Sequence, residues 1–206
     1  MYAQLQTADY KKAFGLPEDY MVDGLLTWGT WKTTEYHQRL LSALSDAGLT
    51  YKKGKLKFDN TFLDNIVEIE CEGARLWLVV EYGTAKLSEY VDLACRFGSR
   101  KNIFLGTCGG LKPGMKERDI IIPSYSYSTE SSAHMYDKSN ADNIYMPDEK
   151  LSTTLKSKLS SEWNLFEGPI ITCQAMLAET WEDVQSWSSQ GYYGVEMETA
   201  TFFSVS

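Results

Sequence analysis

The chain has 206 residues, of which 43% are hydrophobic and 23% charged, with a formal net charge of -8. This content suits one folded domain around a large buried core, set apart from the polar composition of disorder. The acidic balance disfavours a polyanionic partner, nucleic acid or an anionic membrane surface, because neutralising phosphates takes a dense cationic face.

No apolar run approaches the roughly 20 residues of a bilayer span, and the N-terminus lacks a signal-peptide core, so the cytoplasm is the expected compartment. Cys71, Cys95, Cys108 and Cys173 are widely spaced with no CxxC pair. They read as reduced, mostly structural, small buried hydrophobes. His37 and His134 are isolated from other ligands at zinc spacing, so no metal is expected.

The first 18 residues carry no clear period. A short strand is expected at Gly24 to Trp28, then a glycine turn at Gly29 and a helix with Leu40, Leu41, Leu44 and Ala47 on one face and Gly48 as its stop. In "NIVEIECEGARLWLVVEYG", Val67, Ile69 and Cys71 alternate with Glu68, Glu70 and Glu72, which predicts a strand with one wet face. Leu76 to Val80 follows as a strand buried on both faces. Leu87, Tyr90, Val91, Ala94 and Cys95 then recur at helical spacing, with Gly98 as cap.

"NIFLGTCGGL" is a strand running into a glycine turn, and "RDIIIP" a strand closed by Pro123. Tyr125 to Asp148 reads as a long surface loop. "DEKLSTTLKSKLSSEW" predicts a helix, "GPIITC" a strand, "ETWEDVQSWSSQG" a helix, and "YYGVE" a last strand before a helix at Met197. Alternating strands and helices predict an α/β fold with a mostly parallel central sheet, whose ligands bind beyond the carboxyl ends of its strands.

Three strand-to-turn junctions could carry chemistry. In "LLTWGTWK", Gly29 lets backbone N–H groups approach an anion and Lys32 adds a mobile charge, although a plain turn with a surface lysine fits equally. In "GTCGGL", Gly106 to Leu111, successive N–H donors and the Thr107 hydroxyl could meet a phosphate or sugar oxygen, or simply form a tight turn. In "GVEMETAT", Glu196 and Glu198 flank Met197 at a helix start. The helix dipole alone favours carboxylates there. An ionised carboxylate also accepts two hydrogen bonds at once, which suits a vicinal diol, and it favours positive charge developing at the neighbouring anomeric carbon.

In order and spacing, "GTCGGL", the loop ending in Tyr136, "YMPDEKL" and "GVEMETAT" resemble the nucleoside phosphorylase family of hexameric purine nucleoside phosphorylases and uridine phosphorylases. The resemblance spans about residues 24 to 206. It implies a three-layer α/β/α sandwich on a mixed, mostly parallel sheet, formed by one domain over residues 1 to 206 that lacks the family's C-terminal strand and helix. It also implies a homodimer or larger homo-oligomer. Carried over by position, Glu198 is the catalytic carboxylate gripping the ribose hydroxyls and Met197 lies against the sugar, with Glu196 beside them in the substrate site. Thr107 contacts phosphate and ribose, Cys108 and Gly109 lie near the base, and Met176 takes the place of the aromatic ring that stacks on it. Gly29, Lys32 and Thr107 would hold phosphate, with no metal or organic cofactor. Glu198 is expected at the rim of the pocket made by the 106 to 110 turn.

The pattern departs from the family at Phe104, where an arginine for phosphate usually stands, and at "YGTAK", where a Gly-Pro-Ser turn precedes the long helix. The implied activity is phosphorolysis of a ribonucleoside to free base and ribose 1-phosphate, with purine favoured because "LAETWEDVQSW" offers no Gln-x-Arg pair to read uracil. Hydrolytic nucleosidase activity and non-catalytic nucleoside binding are the alternatives.

Overall fold

The computed structural model describes residues 2–54, 63, 65–129 and 131–206. They divide into two compact units, Met1–Tyr82 with Glu89–Leu105 and Ser206, and Gly83–Ser88 with Gly106–Val205. The α/β character expected from the alternating pattern is present. The strands are distributed over two five-stranded mixed sheets rather than gathered into one.

The first unit opens with helix α1 (Thr7–Ala13), in the stretch whose periodicity left its structure open. Its sheet combines β1 (Gly24–Gly29), β2 (Tyr51–Lys53), β3 (Ile66–Cys71), β4 (Ala74–Glu81) and β5 (Asn102–Gly106) in the order β2-β3-β4-β1-β5. β1 runs parallel to β4, whereas β2, β3 and β4 pair antiparallel. β4 buries Trp77 to Val80 without interruption, as its continuous apolar run requires. Helix α2 (Thr33–Asp46) packs Leu40 and Leu41 on Ile69, Leu78 and Val80, and the chain leaves it through Gly48 at φ +75°. Helix α3 (Thr84–Arg96) buries Leu87, Tyr90, Val91 and Ala94, the expected face.

The wet face expected of β3 is corrected at Glu68, which is buried. A buried carboxylate persists only where it is hydrogen-bonded and paired. Tyr20 donates its hydroxyl to Glu68 Oε2, Trp77 Nε1 donates to Tyr20 at 2.8 Å, and the Arg75 guanidinium lies over the Tyr20 ring at 4.6 Å and 3.8 Å from Glu68 Oε2. Burial and the bond to Glu68 hold the Tyr20 phenol far above its ordinary range.

His37 on α2 places Nε2 3.3 Å from the Leu78 carbonyl, and burial lowers its pKa below 6.5. The folded form therefore holds a neutral imidazole that the unfolded chain protonates, so stability is intact above pH 6.5 and falls as pH drops below it. Thermal melts from pH 7.5 to 5.5 are expected to show a loss in the wild type that is smaller in His37→Gln. Equal pH slopes for the two proteins would contradict it.

The second unit's sheet has the order β6-β10-β9-β7-β8, from β6 (Gly109–Gly110), β7 (Ile120–Tyr127), β8 (Ile144–Tyr145), β9 (Leu165–Thr172) and β10 (Gly194–Glu196). Its three central strands are parallel and its two edge pairs antiparallel. β7 does not close at Pro123. It continues to Tyr127 through a register shift between Pro123 and Ser126, a bulge that accommodates the missing N–H. The expected long loop is corrected as well, since it contains the end of β7, helix α4 (Ser131–Tyr136) and β8. Helices α5 (Glu149–Leu159), α6 (Trp181–Ser189) and α7 (Thr199–Val205) follow where the periodicity places them. α7 packs Ala200 and Phe203 on Ala133 of α4 and Tyr145 of β8, which supplies an apolar partner for Phe203.

Candidate active site

The second unit brings the glycine turn and the Glu-Met-Glu stretch together by strand pairing. β6 aligns Gly110 with Gly194 and Gly109 with Val195, while β9 aligns Thr172 with Glu196 on the other side of β10. An added Cβ at Gly194 would lie 2.9 Å from Ile121 Cδ1 and 3.2 Å from Cys108 Sγ, so a larger residue there would displace those side-chain ends. Thr107, Cys108 and Gly109 are exposed at this edge. The expectation of a buried structural cysteine is therefore corrected at Cys108. Local burial of its sulfur against β10, with the Glu196 charge, pushes the thiol pKa up.

The two glutamates have different tasks. Glu196 is buried, and Oε2 accepts from the backbone N–H of Glu198 at 2.8 Å and of Thr199 at 2.7 Å. Oε1 accepts from the Thr172 hydroxyl at 2.5 Å. These contacts satisfy N–H groups that a helix start leaves without intrahelical partners, so Glu196 caps α7. Burial raises its pKa against the lowering effect of those donors. Both Glu196 oxygens are thus engaged in the fold.

Glu198 is 5% exposed, and Oε1 accepts from the Gly83 N–H at 2.9 Å. Gly83 adopts φ +84° immediately before α3, a conformation that glycine takes without steric cost. Gly83, the glycine of the "YGTAK" turn, thus supplies a backbone donor to Glu198. The carboxylate lies two residues beyond the strand paired with the glycine turn, but it is buried rather than standing on a rim. Met197 between the glutamates is half-buried.

Thr84, next to Gly83, hydrogen-bonds Ser132 at 3.1 Å and receives the Gln174 carboxamide at 3.5 Å. Gln174 also lines a cleft of about 370 Å³ at the carboxyl ends of β7 and β9, together with Ser128, Thr129, Ile171, Cys173 and Trp187. No residue lining it carries a formal charge. Met176 is 46% exposed on the short 3-10 turn Met176–Ala178.

Gly29 and Lys32 belong to the first unit. Gly29 ends β1, and Lys32 precedes α2 with its ammonium 3.9 Å from Glu35, a carboxylate that also receives Arg39 at 2.6 Å. Phe104, at the position of the family arginine, is half-buried in β5. Gly83, Thr84, Ser126 and Thr172 escaped the sequence reading. Only Gly83 carried a signal, as the glycine of an altered turn ahead of a helix. Among the described residues, no group of three or more His, Cys, Asp or Glu could hold a metal ion, and no helix is long and apolar enough to cross a membrane.

Residues 82–206 match the family model of the phosphorylase superfamily. The chain is 31% identical over 127 residues to a DeoD-type purine nucleoside phosphorylase of Caldanaerobacter subterraneus subsp. tengcongensis, covering 60% of this chain and 53% of that protein. It is 25% identical over 116 residues to a guanosine phosphorylase of Halorubrum lacusprofundi, covering 56% and 47%. The chain spans about half the length of these curated relatives. The crystal structure of a uridine phosphorylase from Vibrio fischeri ES114 superposes with a TM-score of 0.71 at 14% identity, over 91% of this chain and 74% of that one, and so shares its fold.

Proposed function

Because the chain belongs to the phosphorylase superfamily, we propose that it cleaves the N-glycosidic bond of a ribonucleoside, with Glu198 gripping the ribose hydroxyls and inorganic phosphate attacking the anomeric carbon. The observation that carries this reading is the division of labour between the glutamates. Glu196 takes the capping task, and Glu198 is held by the Gly83 N–H beside the strand that pairs with the glycine turn.

In the proposed reaction, an oxygen of hydrogen phosphate bonds to the anomeric carbon as the C–N bond breaks, the C–N electron pair leaves with the base, and the base takes up the proton that the phosphate gives up. Positive charge develops on the sugar in between. A carboxylate accepting from its hydroxyls stabilises that charge in a site with little water. The uncharged lining of the 370 Å³ cleft suits a neutral heterocycle. Similarity to the purine-type relatives favours a purine over uracil. In the second unit Thr107 and the 106 to 110 backbone are the proposed phosphate ligands, and in the first unit Gly29 and Lys32 are the proposed ones. Neither a metal nor an organic cofactor is part of the proposal. A homodimer or larger homo-oligomer is, and Leu177, 96% exposed, and Trp181, 79% exposed, are apolar surface such an assembly would cover.

One observation favours water as the nucleophile instead. Lys32 already shares Glu35 with Arg39, and Phe104 offers no charge, whereas a dianion calls for charge-assisted donors. Base release from guanosine, inosine and uridine, measured with and without phosphate, decides between them. Phosphate-dependent release of the purine is the expected result. Phosphate-independent release gives hydrolysis, and saturable binding without release leaves a nucleoside-binding protein.

A further inference from the structure

We infer that Ser126 and Thr172 are positioning residues for Glu198, acting through Glu196 as one buried hydrogen-bond relay that fixes the start of α7. The inference rests on the function proposed above. Ser126 and Thr172 come from the adjacent parallel strands β7 and β9, and both are buried.

Donor bookkeeping sets the direction of the relay. The single Thr172 proton goes to Glu196 Oε1 at 2.5 Å, so its oxygen can only accept its other contacts. It accepts the Ala200 N–H at 2.9 Å, and the Ser126 hydroxyl, 2.9 Å away, must donate to it. Glu196 then accepts the N–H groups of Glu198 and Thr199. Three consecutive amides at the start of α7 therefore end on this relay, two on Glu196 and one on Thr172. Phe202 N–H donates to the Glu198 carbonyl at 3.0 Å, two residues beyond the last of these amides.

The Glu198 backbone is held by this relay from one side and its carboxylate by Gly83 from the other. Both contacts restrict the orientation of the side chain. A seven-residue helix has little stability of its own, so loss of the relay is expected to show first at these amides. A bulge between Pro123 and Ser126 helps aim the serine hydroxyl, because a register shift changes which residues of β7 face β9.

The test compares wild type, Thr172→Val, Thr172→Ser and Ser126→Ala by two readouts, amide hydrogen exchange at residues 198 to 200 and the dissociation constant for guanosine. In Thr172→Val those three amides are expected to exchange at least tenfold faster while the Leu78 amide in the other unit keeps its protection. Guanosine affinity is expected to fall roughly tenfold, the scale of about one lost buried hydrogen bond. Thr172→Ser, which restores the hydroxyl, should recover both readouts, and Ser126→Ala, which removes only the outermost donor, should fall between. If Thr172→Val does not fold, Ser126→Ala carries the same comparison.

Wild-type exchange in the variants overturns the relay, and faster exchange with unchanged guanosine affinity overturns its link to Glu198. A wild type that binds no nucleoside overturns the functional reading, and the exchange result then decides alone whether the relay holds the helix start.

Discussion

Replacing Glu198 with glutamine is expected to weaken nucleoside binding by about 2 kcal/mol, roughly 30-fold in dissociation constant, with little change in thermal stability. The substitution keeps the side-chain shape, and the amide oxygen can still accept the Gly83 N–H that the carboxylate receives at 2.9 Å. What is lost is the charge and half of the acceptor capacity. The amide nitrogen would face substrate hydroxyls as a donor, so the two charge-assisted bonds to a vicinal diol become one neutral bond. If turnover is present it should fall at least as far, because the missing charge matters most when the sugar becomes cationic. Titration calorimetry with guanosine gives the binding term and a thermal melt gives the control. Unchanged affinity in a folded Glu198→Gln protein would remove Glu198 from the site.

Glu196 and Glu198 also mark how far the sequence could be read. Two carboxylates at a strand-to-helix junction and a glycine turn after β5 were legible, since both follow from local pattern and from the tendency of α/β folds to place sites at strand ends, whereas the pairing of that turn as β6 with β10 was not. Which carboxylate would be consumed as a cap was not legible, because it depends on the Thr172 hydroxyl, 24 residues earlier in sequence and one strand away. Most helices and strands fell where their periodicities place them. The exceptions share a cause. β7 passes through Pro123 because a bulge relieves it, and α4 forms in a polar stretch because Ala133 packs on α7 from the far end of the chain. Glu68 breaks its strand's alternation because Tyr20, whose surroundings carry no period, closes over it. Contacts between segments distant in sequence override local preference in each case. The division of the strands into two sheets was likewise not legible, since the alternation of elements is the same for one sheet or two.

Trp77→Ala is expected to be the most damaging core substitution in the first unit, costing about 3 to 5 kcal/mol. Trp77 is fully buried on β4, and its ring meets Phe97 edge-on at 5.8 Å, while Tyr20 meets the same Phe97 at 5.9 Å. Truncation removes the largest apolar surface in this cluster and leaves a cavity that the paired strands on both sides of β4 prevent from collapsing. It also removes the Nε1 donor from the Tyr20 hydroxyl, the group whose proton satisfies the buried Glu68. The two losses couple, because the hydroxyl's position is set by donor and acceptor together. Trp77→Phe separates them, since it keeps a ring and loses the donor, and it should cost on the order of 1 to 2 kcal/mol. Thermal melts are expected to show a fall on the order of 10 °C for the alanine variant. A fall of under a degree or two would mean that the Trp77 ring and the Tyr20–Glu68 pair are not the centre of the first unit's core, and that its stability resides with the Leu40, Leu41, Leu78 cluster on the α2 side.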